Sequence, residues 1–488
     1  MLCILSRIRG WFSKSRFSNP ASAARHISLI AGGTVVAQLV GVLTIPILSR
    51  IYAPADYGIM AVYASVIAIL GEFSGFRYYL AIPLPKDGRY ARALVVLSMG
   101  LHVAFVTILM LILFISGEFL LTKLAMTELI PYRLLIPLGL FITGTYVVLT
   151  QWAIREQLFS TIARTKITQS VSGAFSKIAL GFFGVRPLGL LIGTILAQGG
   201  GVTTLLSPLL ERNGGLRPKK RDLRRVALRY RKFPIYDTLS GALITTGLHI
   251  VNLVFVVLYT SRIVGLFAMA QQLLAIPSVF VGQAIGQVFL QRGSVARRQE
   301  KLSEVFTQTY RSLMKIGIYP ILFLSFSAPQ IFVWLLSDQW AQAGVFVRII
   351  SPWVAINFIY SPLSHVFSIL ERQGTALLFE FLHLPLRVAA LFFGAMFGNA
   401  ETSLACLTVV NFLVYFLKLS YLNHSVGNNF KILLKDFVLE LSLALVLLSL
   451  PVVLSLTSFS AVFFSVSLAC SAMLYCFLAF RFFRKTNS

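Results

Sequence analysis

Apolar runs of about 20 residues, the length needed to cross the hydrocarbon of a bilayer, recur along the whole of this 488-residue chain. They leave few folding solutions. In hydrocarbon every backbone polar group must be bonded within the protein, so a spanning segment is either a helix or part of a closed barrel. Barrel strands alternate apolar and polar residues over about ten positions, and these runs do not alternate. The chain reads as an all-α polytopic membrane protein. Its 12% of charged residues, about half the share in a soluble protein, points the same way.

The apolar runs are interrupted most strongly at 211–232, ERNGGLRPKKRDLRRVALRYRK. Ten Lys/Arg (Arg212, Arg217, Lys219, Lys220, Arg221, Arg224, Arg225, Arg229, Arg231, Lys232) stand there against Glu211 and Asp222. Short Lys/Arg-rich loops resist translocation, so this stretch is expected on the cytoplasmic side, orienting the spans and cutting the chain in two. It is either a solvated linker that only sets topology or a surface meeting anionic lipid or an acidic ligand. A net charge of +26 raises nucleic-acid binding, but the distribution argues against it. Only Arg50, Lys123, Arg133, Arg186, Arg262 and Arg348 fall at the outer edge, and Lys177, Arg387 and Lys418 fall within spans; the other cations border the cytoplasmic side. Cys3, Cys406, Cys470 and Cys476 have no paired or metal-ligand spacing and read as small hydrophobes.

The expected order is a basic cytoplasmic tail (1–25), a six-helix bundle (26–209), a basic cytoplasmic linker (210–233), a second six-helix bundle (234–422), two further spans (437–480) and a basic tail (481–488). The first bundle has spans near 26–49, 59–80, 93–115, 134–154, 167–186 and 187–209. The second has spans near 234–257, 263–289, 316–336, 346–370, 374–397 and 402–422, with a second basic loop at 292–315. The added pair lies near 437–456 and 459–480, where Glu440 is the one ionisable residue. About 14 spans with both termini cytoplasmic satisfy the charge rule at every loop. Gly33, Ala37, Gly41 and Thr44 make a small-residue stripe on the first span, suited to close helix contact.

The two bundles resemble each other. Tyr52 and Gly58 match Tyr259 and Gly265; Arg133 and Pro137 match Arg348 and Pro352; the string 177–184, KIALGFFG, matches 387–394, RVAALFFG. The offsets are 207, 215 and 210. Units with an even number of spans insert with the same orientation, so an axis along the membrane normal relates them, with a site expected between them near the midplane.

Lys177 and Arg387 occupy equivalent places near the centres of their spans, where a cation costs about 2.5–3.5 kcal/mol on insertion scales. Glu380, His383 and Arg387 fall at i, i+3 and i+7, one face of a helix. Either Arg387 forms an internal ion pair with Glu380 or a neighbour, or these residues line a cationic site for a phosphate or pyrophosphate headgroup. Glu72 is the one comparably deep acid of the first half and a candidate partner for Lys177. Asp237, Gly241, Thr245 and Asn252 form a second polar stripe. Asp237 could bind a coupling proton or cation, or cap its helix beside Pro234. The lone histidines His102 and His249 read as core residues, and Lys418 is expected to snorkel to the inner interface.

No catalytic arrangement emerges. There is no Gly-rich loop with GK[ST], the first outer loop has a lone Asp56, and no outer segment is large enough for a soluble active site. The expectation is a transporter, not an enzyme, with no metal and no cofactor. A drug or toxin exporter of the MATE type would favour acidic linings for organic cations. A membrane glycan polymerase or ligase would call for a large outer loop.

LSRIYAPADYG (48–58), FPIYDTLSG (233–241), VGLFAMAQQLLAIPSVFVGQAIGQVF (264–289) and DQWAQAGVFVRIISPW (338–353) resemble the polysaccharide flippases of the MOP superfamily, the O-antigen (Wzx-type) and exopolysaccharide exporters. The resemblance covers spans 1–12. It implies a MATE-like fold and movement of an undecaprenyl-pyrophosphate-linked oligosaccharide from the cytoplasmic to the periplasmic leaflet of the bacterial inner membrane. Alternating access and coupling to an ion gradient are implied too, with a glycan polymerase and a chain-length regulator as partners. The implied headgroup residues are Lys177 and Arg387, with Glu380, His383 and Asn252 beside them, and Asp237, Glu72 and Glu380 are the candidates for ion coupling. Asp56, Gly58, Asp237, Gly265 and Trp340 carry over as family positions of structural character. The family more often has Gly where Ser337 stands. Spans 13 and 14 resemble extra helices that form a groove for the lipid tail.

Overall fold

The computed structural model describes residues 20–211 and 218–456, with 467, 470, 471 and 473–475. Helices account for nearly all of them, and no strand occurs among the described residues. In chain order they are α1 (Pro20–Ile51), α2 (Pro54–Phe73), α3 (Gly88–Lys123), α4 (Leu135–Arg155), α5 (Phe159–Phe182), α6 (Leu188–Gly199) and α7 (Val202–Glu211). Then come α8 (Lys220–Arg229), α9 (Thr238–Leu258), α10 (Ser261–Pro277), α11 (Gln283–Arg298), α12 (Leu302–Leu335), α13 (Ala341–Leu363), α14 (Gln373–Phe397), α15 (Ala400–Ser425) and α16 (Phe430–Leu456).

Ten stretches among the described residues are long and apolar enough to cross a bilayer, and Ser261–Pro277 is a shorter apolar helix. The chain is thus a multi-pass, all-helical membrane protein. α5 is not among the ten, because Lys166, Lys177 and a run of Thr, Ser and Gln dilute its apolar content. The expected final span at 459–480 lies largely outside the described residues, as does most of the N-terminal tail. α1 begins at Pro20, inside the stretch 1–25 read as tail.

Helices overrun the loops that the charge pattern marks. α3 has 36 residues, about 54 Å of helix, and α12 has 34. The basic loop expected at 292–315 is almost wholly helical, with only a short break after Arg298, where Glu300 adopts φ 57°. The reason is that charge marks where the apolar slab ends, whereas a helix ends only where capping or backbone geometry stops it.

Two compact units are present, Met1–Thr245 and Thr246–Ser488, with the boundary inside α9. In the first, α1 packs on α5 and α5 on α6. The first part of the small-residue stripe makes this contact: a Cβ on Gly33 would stand 2.9 Å from the Ala163 carbonyl, and Ser170 donates to the Ala37 carbonyl at 2.7 Å, whereas a Cβ on Gly41 would meet nothing within 4 Å. A core of Leu94, Leu149, Trp152, Leu205 and Val226 fills the space between α3, α4, α7 and α8. In the second unit α12 packs on α13 and α14 on α15, with Trp340, Phe346 and Phe358 fully buried.

The equivalent tyrosines do similar work in each unit. The Tyr52 hydroxyl donates to the Lys177 carbonyl of α5 at 2.7 Å. In the second unit the Tyr259 hydroxyl bonds the Ser403 hydroxyl at 2.6 Å, and Ser403 donates onward to the Leu391 carbonyl of α14 at 3.0 Å.

Candidate functional site

In the second unit a buried polar network lies between α14 and α15. Glu380, His383 and Arg387 share one face of α14; Asn411, Tyr415 and Lys418 share one face of α15 at i, i+4 and i+7. Lys418 Nζ pairs with Glu380 Oε1 at 2.6 Å and lies 3.4 Å from His383 Nδ1. Asn411 Oδ1 accepts from Arg387 Nε at 2.8 Å and from His383 Nε2 at 2.8 Å. An amide oxygen only accepts, so the His383 proton sits on Nε2 and bare Nδ1 faces the Lys418 ammonium. Arg387 also donates to the Tyr415 hydroxyl at 2.9 Å and to the Gly247 carbonyl. The Lys418 ammonium stands 5.2 Å from the Tyr415 ring centre and 5.6 Å from that of Tyr360.

One sequence expectation changes here, and the Glu380–Arg387 ion pair, one of the two alternatives, does not form. Lys418 does not snorkel: it is 0% exposed, held in the interior by its carboxylate partner. Glu380 therefore pairs with Lys418, and among the described residues Arg387, itself 4% exposed, has neutral partners alone. Two cations face one carboxylate. The network has a surplus positive charge in a place where charge is expensive, an arrangement that attracts an anion. Asn252, proposed beside these residues, is buried on α9.

In the first unit, Lys177 is half-buried on α5, its chain lying over Gly193 of α6; a Cβ on Gly193 would collide with Lys177 Cγ. Among the described residues its ammonium has neither an ion pair nor a hydrogen bond. The acid expected to face it has another partner. Glu72 Oε2 stands 3.4 Å from Arg77 Nε, and Glu72 Oε1 accepts from the Thr245 hydroxyl at 2.7 Å. Arg77 Nη1 also donates to the backbone carbonyl of Asp237 at 2.9 Å. The Asp237 carboxylate has neither a hydrogen bond nor an ion pair among the described residues, so it makes no helix cap. His102 is a core residue: Ser74 and the Phe141 carbonyl occupy its two ring nitrogens.

Arg77 comes into this cluster through a backbone feature absent from the periodicity. α2 stops at Phe73, and Gly75, Phe76 and Arg77 all adopt left-handed dihedrals, with φ of 76°, 49° and 53°. The turn reverses the direction in which Arg77 projects, bringing a side chain counted with the cytoplasmic cations back onto Glu72. Gly75 tolerates this because it has no Cβ; one added there would sit 3.1 Å from the Ser98 carbonyl. The corresponding helix of the second unit is also interrupted: a π-helical turn, Ser278–Gly282, separates α10 from α11. Asn411, Tyr415 and Tyr360 were not singled out from sequence, although the same-face rule applied from Lys418 reveals Asn411 and Tyr415; Tyr360 is on α13 and no period within α15 points to it. No cluster of three or more potential metal ligands occurs among the described residues.

Residues 47–344, well over half of the chain, match the family model for polysaccharide biosynthesis proteins. No curated protein sequence matches significantly. Among solved structures, the lipid II flippase MurJ in its inward closed conformation superposes with a TM-score of 0.75 at 12% identity, covering 94% of this chain and all of that one. An inward-facing multidrug resistance MATE family transporter of the MOP superfamily gives 0.59 at 14% identity, covering 82% and 94%. A MOP superfamily transporter from Pyrococcus furiosus gives 0.56 at 13%, covering 82% and 95%. These structures are of a flippase and two transporters. The chain accordingly belongs to the polysaccharide biosynthesis protein family and has the transmembrane fold of MOP-superfamily transporters.

Proposed function

We propose that this protein flips a lipid-linked oligosaccharide, carried on undecaprenyl pyrophosphate, from the cytoplasmic to the periplasmic leaflet of the bacterial inner membrane by ion-coupled alternating access. Family membership supports polysaccharide export. The observation that carries the substrate class is the unbalanced cationic network: among the described residues Arg387 is buried among neutral acceptors, and Lys418 has Glu380 alone as counter-ion. A pyrophosphate headgroup supplies the negative charge that this network lacks. Lys177, with no counter-ion among the described residues, is the first unit's candidate for a headgroup contact, and His383 and Asn252 are the candidate hydrogen-bonding residues of the second. Glu380, Glu72 and Asp237 are the candidates to exchange a coupling proton or cation. A glycan polymerase and a chain-length regulator are the proposed partners downstream.

The test is surface glycan display in cells whose own copy is deleted, complemented with Lys177→Ala, Arg387→Ala or both. Display is expected to fall at unchanged membrane abundance, and to fall further in the double variant. Undiminished display in the double variant removes these two residues from the headgroup site. Energised efflux of an organic cation by the purified protein, with no movement of lipid-linked glycan, overturns the substrate class.

A further inference from the structure

The basic stretch between the two bundles contains a helix with a built inner face and an unpartnered outer one. The inner face of α8 is fixed to the first unit. Val226 and Asp222 are buried, and Leu223, Tyr230 and Phe233 pack on the core. The Tyr78 hydroxyl donates to the Ala227 carbonyl at 3.0 Å, and Arg225 donates to the Tyr90 hydroxyl at 2.6 Å. The only acid of the helix, Asp222, points inward, 3.9 Å from Arg89. The outer face is left with Lys220, Arg221, Arg224 and Arg229, and Arg231 and Lys232 follow just beyond the helix, all exposed and without an acid among them.

Two further observations say what covers this face. Leu228 lies among the cations and is 58% exposed, an apolar side chain out of place against water. The next membrane-crossing stretch, Phe233–Leu258, starts only four residues after α8 ends, and its first exposed side chains, Ile235, Tyr236 and Leu239, are apolar or aromatic. So short a connection holds α8 at the level where headgroups meet hydrocarbon. A fixed basic helix with one exposed Leu and a following Tyr has the make-up of an interfacial helix.

We propose that the outer face of α8 docks on anionic phospholipid headgroups of the leaflet it borders. The arginines and lysines contact headgroup phosphates, and Leu228 inserts toward the acyl chains. Tyr78, which holds α8 through Ala227, follows the left-handed turn at 75–77 directly, so lipid docking steadies the segment that aims Arg77 at Glu72. This inference stands independently of the transported substrate.

The test uses the full chain in nanodiscs, with Cys3, Cys406, Cys470 and Cys476 replaced by Ala and an environment-sensitive fluorophore on Leu228→Cys. Emission is expected to shift to shorter wavelength as phosphatidylglycerol replaces phosphatidylcholine, and added salt should reverse much of the shift. Replacing Arg221, Arg224, Arg229 and Arg231 by Gln should abolish the lipid dependence. The cation-intact chain decides the matter even if that variant fails to fold. Equal emission in the two lipids overturns the proposal. So does an equal shift on adding inorganic phosphate to phosphatidylcholine discs, which indicates a free-anion site. A shift with soluble polyglutamate and none with phosphatidylglycerol also overturns it, assigning the face to an acidic soluble partner.

Discussion

Glu380 reaches across from α14 to Lys418 on α15 at 2.6 Å, leaving Arg387, two turns further along the same face, without a carboxylate among the described residues. A charge expected at the inner interface is thus the one neutralised in the interior. Arg387, for which an ion pair with Glu380 was one of two alternatives, is held by an amide oxygen, a phenol and a backbone carbonyl.

Breaking the pair from one side should cost more than removing it. Glu380→Gln alone leaves the buried Lys418 ammonium uncompensated, worth about 3–5 kcal/mol when one partner of a buried pair is lost, and Lys418→Met, which leaves a carboxylate that is 26% exposed, should cost less. The double replacement, Glu380→Gln with Lys418→Met, should recover much of that loss. Thermal unfolding of the detergent-solubilised protein reads both, and additive losses in the double variant would show that the pair is not coupled.

Asn411 accepts from two buried donors with one oxygen. Asn411→Leu strands Arg387 Nε and His383 Nε2, at about 1–3 kcal/mol for each unsatisfied group. Asn411→Asp keeps an acceptor and adds the missing negative charge. It should restore stability while lowering glycan display, if the surplus cation serves the headgroup. Thermal stability and display measured on the same samples separate the two effects.

Gly193 makes room for Lys177. Gly193→Val puts a side chain where the Lys177 stem lies and 2.9 Å from the Gly173 carbonyl, so the ammonium must move and α5 must shift slightly on α6. The expected result is a loss of glycan display comparable to that of Lys177→Ala, with the protein still in the membrane. Full display in Gly193→Val would mean that the position of Lys177 is not needed.

Ser337 adopts φ 127°, a region that favours glycine, and its hydroxyl is buried with no hydrogen-bond partner among the described residues. The resemblance had marked this position as one where the family more often has Gly, and the backbone supplies the reason. Ser337→Gly should stabilise the protein by about 1 kcal/mol, relieving both the dihedral and the stranded hydroxyl. A melting temperature unchanged or lowered by the substitution would contradict this.

Much was legible from sequence because hydrocarbon imposes one rule on every segment. Apolar runs of sufficient length must be helical, so the all-α fold follows from residue types alone. The tyrosine anchors at 52 and 259 and the equivalent cations at 177 and 387 are visible as strings. Gly33 and Ala37 mark the seam on α1 where α5 packs. The same-face spacing of Glu380, His383 and Arg387 needed only the period of a helix.

The partners of those charges were decided by tertiary structure. Whether Glu380 meets Arg387 or Lys418 depends on how α15 is rotated against α14, and no period within one helix records that. Arg77 reads as one more cytoplasmic cation until the backbone at 75–77 turns left-handed and carries it back to Glu72, a reversal set by a few dihedrals. α8, too, becomes a surface with an inside and an outside only once Val226 and Tyr230 have found their core. Composition determines which groups must leave water or stay in it, and three-dimensional packing determines which of them meet.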